Sequence, residues 1–452
     1  ESENCPIFPH SKWKMVTVYD FDSKGRYFHI PLIRFFAACI KEMLKNEKHS
    51  HRINDSLLNL MKPISGKILD FPLQVLELKS EVKSNMWLYN GRYMRDQVIN
   101  YTEPPFSHIF WDLDLFMVQI CGLSYGSNNL INHILHQFKC WDSFMNEENK
   151  LIHFLNLRNF IANKKTSNTE KMLEPEHILS LKEEVLMLFI NIITELPSPA
   201  DSMTKIHVRN INSKRGSGDE NRESIDVNKR VLSEMRREII HRLASEPCVF
   251  SEIQELSIMV GQAETLTSRA IEAILSEVAD LKPNSSNKSL EAEKYALKPK
   301  FYDEYDPSFP HLPASKHLTA IETKSKFFSS AYHKNIDSEG KPICPNLPIC
   351  HSYLSSFRTE MLKDECMMRV IKHCLSSFST DNINNHQTSE KLLLRAIHLL
   401  TLGMYAFKDE KMDIDLVKEF CHNLIKEKIP QDINNLIQSK LIQDDKTTKA
   451  NL

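Results

Sequence analysis

Residues 78–120, LKSEVKSNMWLYNGRYMRDQVINYTEPPFSHIFWDLDLFMVQI, contain the pattern that decides the fold. A helix ends at Asn85-Met86-Trp87, and a polar Tyr-Asn-Gly-Arg elbow follows it. A second helix then leads into a third, which begins at the Trp-Asp-Leu-Asp of residues 111–114. Because apolar residues recur at helical spacing on both sides of the elbow, the pattern predicts a helical hairpin.

Composition extends the helical prediction to the whole chain. Only 10 of the 452 residues are Gly, against a usual share of about 7%, so few tight turns and no glycine-rich phosphate loop are expected. Helices are predicted over residues 32–44, 57–61, 72–88, 94–99, 113–121, 129–138, 148–160, 181–196, 356–377, 389–407, 414–426 and 433–443, with a weak strand over 13–22. We therefore predict a mostly α-helical protein.

Charge and cysteine usage exclude several classes of protein. The formal net charge of −2 gives no general attraction to nucleic acid or to anionic membranes. The 10 scattered Cys residues fit a reducing compartment better than a disulfide framework. The longest apolar run, residues 185–193 interrupted by Asn191, is shorter than the roughly 20 residues of a membrane span. The Glu-Ser-Glu-Asn start lacks a signal peptide, so a piece of a longer polypeptide is expected.

Compositional breaks divide the chain into five segments. Residues 199–222 are polar and include Arg-Gly-Ser-Gly, and residues 312–345 carry scattered Lys, Ser, Asp and Gly. The predicted segments are a helical scaffold domain (1–198), a linker or long loop (199–226), a winged-helix domain (227–312), a linker (313–345) and a further helical domain (346–452).

The winged-helix prediction depends on the order of the elements. A helix at Val231–Ala244 ends before Pro247, a short helix follows Ser251, and a longer helix contains Ile271 and Ile274 in one apolar stripe. Residues 294–302 can then form a strand pair or wing. The longer helix carries Glu272, Glu277 and Asp280 beside Arg269, which disfavours docking against DNA phosphates. A protein-interaction module is the preferred interpretation.

Two groups of residues could in principle bind a metal ion. His133, His136 and Cys140 share one helix face, but no fourth ligand is nearby, so a core-facing helix is preferred over a zinc site. Cys344, Cys350 and His351 lie beside prolines, and the chain has no C-x-x-C motif to complete a site. His49 and His51 are expected to be solvated. We predict no metal site in this segment.

Two further patterns have a structural and a functional interpretation. Asp112 and Asp114 could hold a divalent cation, but acidic residues in a first helical turn more simply complement the helix dipole. Trp87 and Trp111 could form an aromatic cage, but core anchors are the commoner role of such residues. No G-x-S-x-G, Walker or H-E-x-x-H motif is present. No catalytic residue is therefore predicted.

Several blocks, in one order along the chain, carry a resemblance to a known family. They are Phe28–Leu32 with Arg34-Phe35, Glu81–Gln97, Asp112-x-Asp114-x-x-Met117-x-Gln119, Arg237–Leu243 with Glu246-Pro247, Tyr295-x-Leu297-Lys298, Phe301–Pro307, Cys344-Pro345 and Leu400–Gly403. Together they resemble the middle region of the UBR-box ubiquitin ligases, the N-recognins. The signature scaffold positions are Trp87, Asn90, Gly91, Gln97, Asp112, Asp114 and Gln119. The selected winged-helix positions are Arg237, His241, Pro247, Ile271, Ile274, Tyr302 and Pro307.

The resemblance implies a function that composition does not show. Such proteins are RING-type ligases that recruit a ubiquitin-conjugating enzyme and transfer ubiquitin to lysines of N-degron substrates. The family's zinc-binding UBR box lies upstream of this region and its RING downstream. The resemblance thus implies a non-catalytic scaffold segment with no cofactor of its own, zinc elsewhere in the parent, and a cytoplasmic or nuclear location. Its expected partners are the conjugating enzyme, N-degron substrates and other domains of the same ligase.

Three other functions remain open at this point. An unrelated helical and winged-helix interaction scaffold, of the cullin or proteasome-lid kind, would share the architecture. A winged-helix nucleic-acid binder is disfavoured by the acidic longer helix. A metalloenzyme using His133, His136 and Cys140 is the weakest alternative.

Overall fold

The structure is a computed structural model of the chain. It describes residues 28–44, 56–87, 91–103, 106–145, 175–196, 203–209, 222–257, 264–282, 292–329, 345, 347–348, 350, 352–376 and 389–408. Four predicted helices and strands lie outside these residues, namely those at 13–22, 148–160, 414–426 and 433–443.

Helices dominate the described residues, as predicted. They are α1 (Pro31–Leu44), α2 (Ser65–Lys83), α3 (Gly91–Thr102), α4 (Trp111–Tyr125), α5 (Ser127–Gln137), α6 (Trp141–Met145), α7 (Pro175–Thr194), α8 (Lys229–Ser245), α9 (Phe250–Ser257), α10 (Glu264–Val278), α11 (Ala314–Ser329), α12 (Ser352–Lys363), α13 (Glu365–Ser376) and α14 (Glu390–Lys408). The strands are β1 (Met203–Arg209), β2 (Arg222–Asn228), β3 (Cys248–Val249), β4 (Ala279–Lys282) and β5 (Lys294–Leu297).

The end of α2 has a local cause. Asn85 adopts a positive φ of 56°, a conformation that Asn tolerates better than most residues. The N–H of Met86 donates to the Glu81 carbonyl over 3.0 Å, and that of Asn85 donates to Val82 over 3.1 Å. These two bonds satisfy the last carbonyls of α2 in a Schellman-type ending. The first helix of the predicted hairpin therefore has a defined C-terminal end.

Two predicted helix boundaries are wrong. The helix predicted to begin at Pro72 instead begins at Ser65 and contains the buried Pro72. Packing of its apolar face compensates for the hydrogen bond that proline cannot donate. The helix predicted over 356–377 is broken at Asp364, whose Oδ1 accepts from the N–H of Cys366 over 2.9 Å. This bond caps α13 and starts a new helix.

The two predicted linkers contain regular structure. Residues of the predicted 199–226 linker form most of an antiparallel hairpin, in which Met203 pairs with Asn228 and Arg209 with Arg222. The alternation of β-branched residues in MTKIHVR explains the strand. In the predicted 313–345 linker, α11 follows Pro313 and packs against α8.

The winged-helix unit has the predicted order of elements. Helix α8 is followed by β3, α9 and α10, and then by the β4–β5 wing strands. The three strands form one antiparallel sheet in the order β3-β5-β4. The apolar residues of this unit, including Ile271 and Ile274, form a core of their own.

The first and last helical regions do not have separate cores. Buried apolar residues of α1–α7 and of α12–α14 belong to one continuous core, and α14 packs along α7. This differs from the predicted division into a scaffold domain and a separate domain at 346–452. Here "scaffold" means α1–α7 together with α12–α14.

One bent pair of helices in the described part of the chain has the length and composition of a membrane span. In the described part of the chain, no single helix is both long and apolar enough to cross a membrane. The pair Gly91–Thr102 and Ser107–Tyr125, bent by 80°, meets the length and composition requirement only when the two are taken together.

Candidate functional site

Charged and polar side chains line the contact between the scaffold and the winged-helix unit. We call this contact the seam. Its scaffold residues are Asp112 and Gln119 on α4 and Glu195 just after α7. Its winged-helix residues are Arg237, Glu238 and His241 on α8, together with Asp306 and His311 between β5 and α11.

His311 bridges the two units. Its Nε2 lies 2.9 Å from Asp112 Oδ1, and its Nδ1 lies 2.5 Å from Glu238 Oε1. Because both ring nitrogens face carboxylates, both donate, and the ring carries a proton on each. Burial lowers the pKa of His311, but Asp112 and Glu238 outweigh it and hold this pKa well above its usual value of 6.5. The result is an imidazolium clamped between α4 and α8.

Arg237 makes the second link across the seam. Its Nη1 and Nη2 donate to the two carboxylate oxygens of Glu195 over 2.6 and 2.7 Å. This bidentate geometry is the strong form of an arginine–carboxylate pair. The guanidinium also lies 4.8 Å from the centre of the Phe309 ring and 3.8 Å from Asp306 Oδ2. Its positive charge stands at the C-terminal end of α7, where it complements the helix dipole.

Gln119 closes the same end of α7 from the scaffold side. Its Nε2 donates to the carbonyls of Ile192 and Glu195, both over 3.1 Å. The last carbonyls of a helix have no partner within the helix and need one from elsewhere. Gln119 and Arg237 therefore hold one helix end from two units of the protein.

His241 fixes the turn that carries Asp306. Its Nδ1 lies 2.7 Å from the Arg237 carbonyl and donates to it, while its Nε2 accepts from the Asp306 N–H over 3.0 Å. Burial first, and then the neighbouring Arg237, lower the pKa of His241 to about 3, so the ring stays neutral. Asp306 Oδ1 in turn accepts from the N–H of Ser308 over 2.8 Å. Pro307 lies inside this turn.

Asp114, two residues after Asp112, has its partners within the scaffold. Its carboxylate accepts from Arg34 over 2.9 and 2.7 Å and from the Tyr101 hydroxyl over 2.9 Å. These bonds join α1, α3 and α4 at a buried point. Burial raises the pKa of Asp114 in spite of the opposing Arg34 and Tyr101 contacts. Both aspartates lie in the first turn of α4, as predicted, but their main contacts are with His311 and Arg34.

The remaining selected residues are scattered. Trp87 packs half-buried against the scaffold core, Gly91 begins α3, and Gln97 is partly buried on α3. Tyr302 lies in the winged-helix core, and Pro247 is exposed after α8. Asn90 is not among the described residues. Asp112, Gln119, Arg237 and His241 are the selected residues that the seam brings together.

The residues considered for zinc have separate partners. His133 Nε2 lies 2.9 Å from Asp70 Oδ1, and the His136 ring stacks on Trp141 with centroids 4.6 Å apart. The Cys140 thiol donates to the Phe138 carbonyl, and burial raises its pKa to about 12. Within the described ranges, no three His, Cys, Asp or Glu side chains are arranged to hold a metal ion. Cys350 is buried, and Cys344, His351, His49 and His51 fall outside those ranges.

Sequence reasoning missed half of the seam. Glu195, Asp306 and His311 were not selected, although each contacts a residue that was. Glu238 was not selected either, and it contacts His311. Asp112 and His311 are 199 residues apart in the sequence, so no local spacing connects them. Glu238 and Asp306 lie inside blocks that carry the resemblance, and His311 follows Pro307, the end of one block, by four residues. Glu195 lies outside all of these blocks.

Comparison with known proteins gives consistent matches. Residues 234–338 match the family model described as "E3 ubiquitin-protein ligase UBR1-like, winged-helix domain". The human E3 ubiquitin-protein ligase UBR2 is 23% identical over 394 residues, which cover 86% of this chain and 19% of that protein. The Caenorhabditis elegans ligase ubr-1 is 22% identical over 406 residues, which cover 86% of this chain and 17% of that protein. The Danio rerio ligase ubr3 is 30% identical over 115 residues, which cover 25% of this chain and 6% of that protein. The chain thus spans about a fifth or less of the length of these relatives.

Proposed function

From the homology of this chain to UBR-family E3 ubiquitin ligases, which covers 86% of its length, we propose that it is a scaffold segment of an N-degron ubiquitin ligase. It would position a substrate-recognition module and a RING module for transfer of ubiquitin to substrate lysines. The segment itself would make and break no bond.

The seam is the observation that carries this proposal. The scaffold and the winged-helix unit have separate apolar cores, and hydrogen-bonded ion pairs join them. Apolar contact tolerates sliding, whereas a bidentate ion pair and a doubly bonded imidazolium need one geometry. A contact of this kind sets the orientation of one unit on the other. A segment whose task is positioning needs this property.

Positioning is itself a source of rate enhancement. Holding a substrate lysine near a ubiquitin thioester removes much of the entropy cost of their encounter. The zinc of the UBR box and the RING would belong to other parts of the parent protein. A ubiquitin-conjugating enzyme and N-degron substrates would bind through those parts, in the cytoplasm or the nucleus.

The test uses the native polypeptide that carries this sequence. We would assay ubiquitin transfer to reporters with destabilising or stabilising N-termini, using a panel of conjugating enzymes. Arg237→Glu places two carboxylates opposite each other at the seam, and a small misplacement can lower a rate by about 100-fold. We expect slower transfer with unchanged binding of the reporter. Glu195→Arg added to Arg237→Glu reverses the pair and should restore the rate.

A matched control separates positioning from charge. Arg369→Glu makes the same charge change in an exposed pair with Glu365 on α13, far from the seam in sequence, and should leave transfer unchanged. If folded Arg237→Glu protein transfers ubiquitin at the full rate, the positioning role is wrong. If the native polypeptide transfers no ubiquitin with any conjugating enzyme, an interaction scaffold of the cullin or proteasome-lid kind becomes the better interpretation.

A further inference from the structure

A second charged cluster lies inside the scaffold and shares no residue with the seam. Lys79 on α2 donates through Nζ to Glu184 Oε2 on α7 over 3.1 Å. Arg395 on α14 places Nη1 3.8 Å from Glu184 Oε1. The side chains of Lys79 and Glu184 are only 9% and 13% exposed. Lys83 follows Lys79 by four residues and therefore lies on the same face of α2.

Positive charge is in excess in this cluster. Burial raises the pKa of Glu184, but Lys79, Lys83 and Arg395 override it and lower this pKa to about 2. One ionised carboxylate thus faces three cations. Repulsion from Lys79, followed by burial, lowers the pKa of Lys83 to about 8. Glu103 also faces Lys83 and opposes this shift, but it does not cancel it.

Two of the three cations have unused hydrogen-bond donors. Arg395 Nη1 is buried and has no hydrogen-bond partner among the described residues. A buried donor without a partner is costly, and native proteins rarely keep one unless something else binds it. Lys83 remains exposed, although burial contributes to its lowered pKa. A ligand in solution can therefore reach Lys83.

We propose that the Lys79, Lys83 and Arg395 cluster binds a phosphate group between α2 and α14. Arginine and lysine are the side chains that recognise such oxyanions, arginine through its fork and lysine as a point charge. Lys79 already donates a hydrogen bond to Glu184. Lys83 and Arg395 are therefore the donors left for the ligand. The site is independent of the ligase function proposed above.

The proposal has a structural consequence. A bound phosphate group would join α2 to α14 and so tie the last described helix to the first half of the scaffold.

Binding can be measured on the full chain with inorganic phosphate as the probe. Titration calorimetry and thermal unfolding would be followed at constant ionic strength, with chloride replacing phosphate. We expect one saturable site, with at least about tenfold weaker binding in Lys83→Gln because a charged donor is lost. Lys67→Gln removes an exposed lysine of the same helix and should bind as the wild type does. Unsaturable binding, or equal loss in both variants, means an adventitious ion only and overturns the proposal.

Lysine labelling gives a second readout that does not depend on stability. With a pKa of about 8, about half of Lys83 is uncharged at pH 8 and should react with acetic anhydride much faster than Lys67. Phosphate should slow the acetylation of Lys83 and leave that of Lys67 unchanged, as read by peptide mass spectrometry. Equal labelling of Lys83 with and without phosphate would contradict the site.

Phosphate free in solution and phosphate on a polypeptide share the same chemistry. The same two measurements would be made with pyrophosphate, which represents free phosphate, and with a phosphoserine peptide, which represents phosphate on a polypeptide. The probe that the chain binds more tightly identifies the source. The unphosphorylated peptide should not protect Lys83. Protection by that peptide would show that the cluster does not recognise phosphate.

Discussion

Helices α1–α7 contact two other regions of the molecule through different chemistry. Helices α12–α14 bury apolar side chains against α1–α7 and share their core. The winged-helix unit keeps its own core and meets the scaffold through His311, Arg237 and their carboxylate partners. Apolar burial stabilises without fixing direction, whereas charged hydrogen bonds fix direction and contribute less stability. The first contact thus makes one stable body, and the second sets an orientation.

The largest expected effect tests the polar anchor inside the stable body. Asp114→Ala leaves Arg34 buried without its carboxylate, so we expect the free energy of unfolding to fall by about 3–5 kcal/mol. Urea unfolding followed by circular dichroism measures this loss. Asp96→Ala, at an exposed position of α3, should change stability by no more than about 0.5 kcal/mol.

The outcome separates two views of Asp114. A loss under about 1 kcal/mol would mean that Arg34 finds another partner and that α1 and α4 are held by apolar contacts. A large loss would show that the stability of the scaffold interior also depends on one buried ion pair. The scaffold interior and the seam would then both rely on charged hydrogen bonds.

A pair of glycines tests the apolar contact with α12. A Cβ atom on Gly122 would lie 2.6 Å from Leu130 Cδ2 and 2.9 Å from Phe357 Cζ, on α5 and α12. Gly122→Ala should therefore cost about 1–3 kcal/mol through overpacking, although alanine favours a helix. Gly91→Ala meets nothing within 4 Å and should be neutral or stabilising. Thermal unfolding of the two variants gives the comparison, and equal midpoints would show that α12 moves aside without cost.

Local pattern was sufficient to predict most of the scaffold helices. The apolar runs of α4, α5 and α7 and the element order of the winged helix are visible in the sequence because each depends on near neighbours. The β1–β2 hairpin was missed because its strands flank a polar segment whose composition is typical of a linker. The break at Asp364 was missed because apolar periodicity continues across it.

The seam was predictable only in part. Asp112, Gln119, Arg237 and His241 were selected through a resemblance, without knowledge of what they contact. Their partners Glu195, Asp306 and His311 lie at least 42 residues away in the sequence, and a lone Glu or His has many possible roles. Glu238 is adjacent to Arg237, but its own partner, His311, is 73 residues away. Which helix packs on which is decided by tertiary contacts, so the shared core of α7 and α14 was not visible either.

The smallest effect concerns His311 and is best seen as a pH dependence. His311→Gln removes the imidazolium and leaves Asp112 and Glu238 facing each other, which should cost about 1–2 kcal/mol at pH 6. Because the folded pKa of His311 is well above its ordinary 6.5, its contribution is complete below pH 6.5 and is lost as the pH rises through the folded value.

The difference in unfolding free energy between the wild type and His311→Gln should therefore shrink as the pH rises above 6.5. Titrating groups that do not contact His311 cancel in this difference because both proteins share them. The same titration on Asp114→Ala, compared with the wild type, should show no such trend, since Asp114 has no contact with His311. A difference that stays constant with pH would mean that the ring is neutral in the folded protein. The seam would then be an ordinary hydrogen-bonded contact, and the contrast with the apolar contact to α12 would be one of degree.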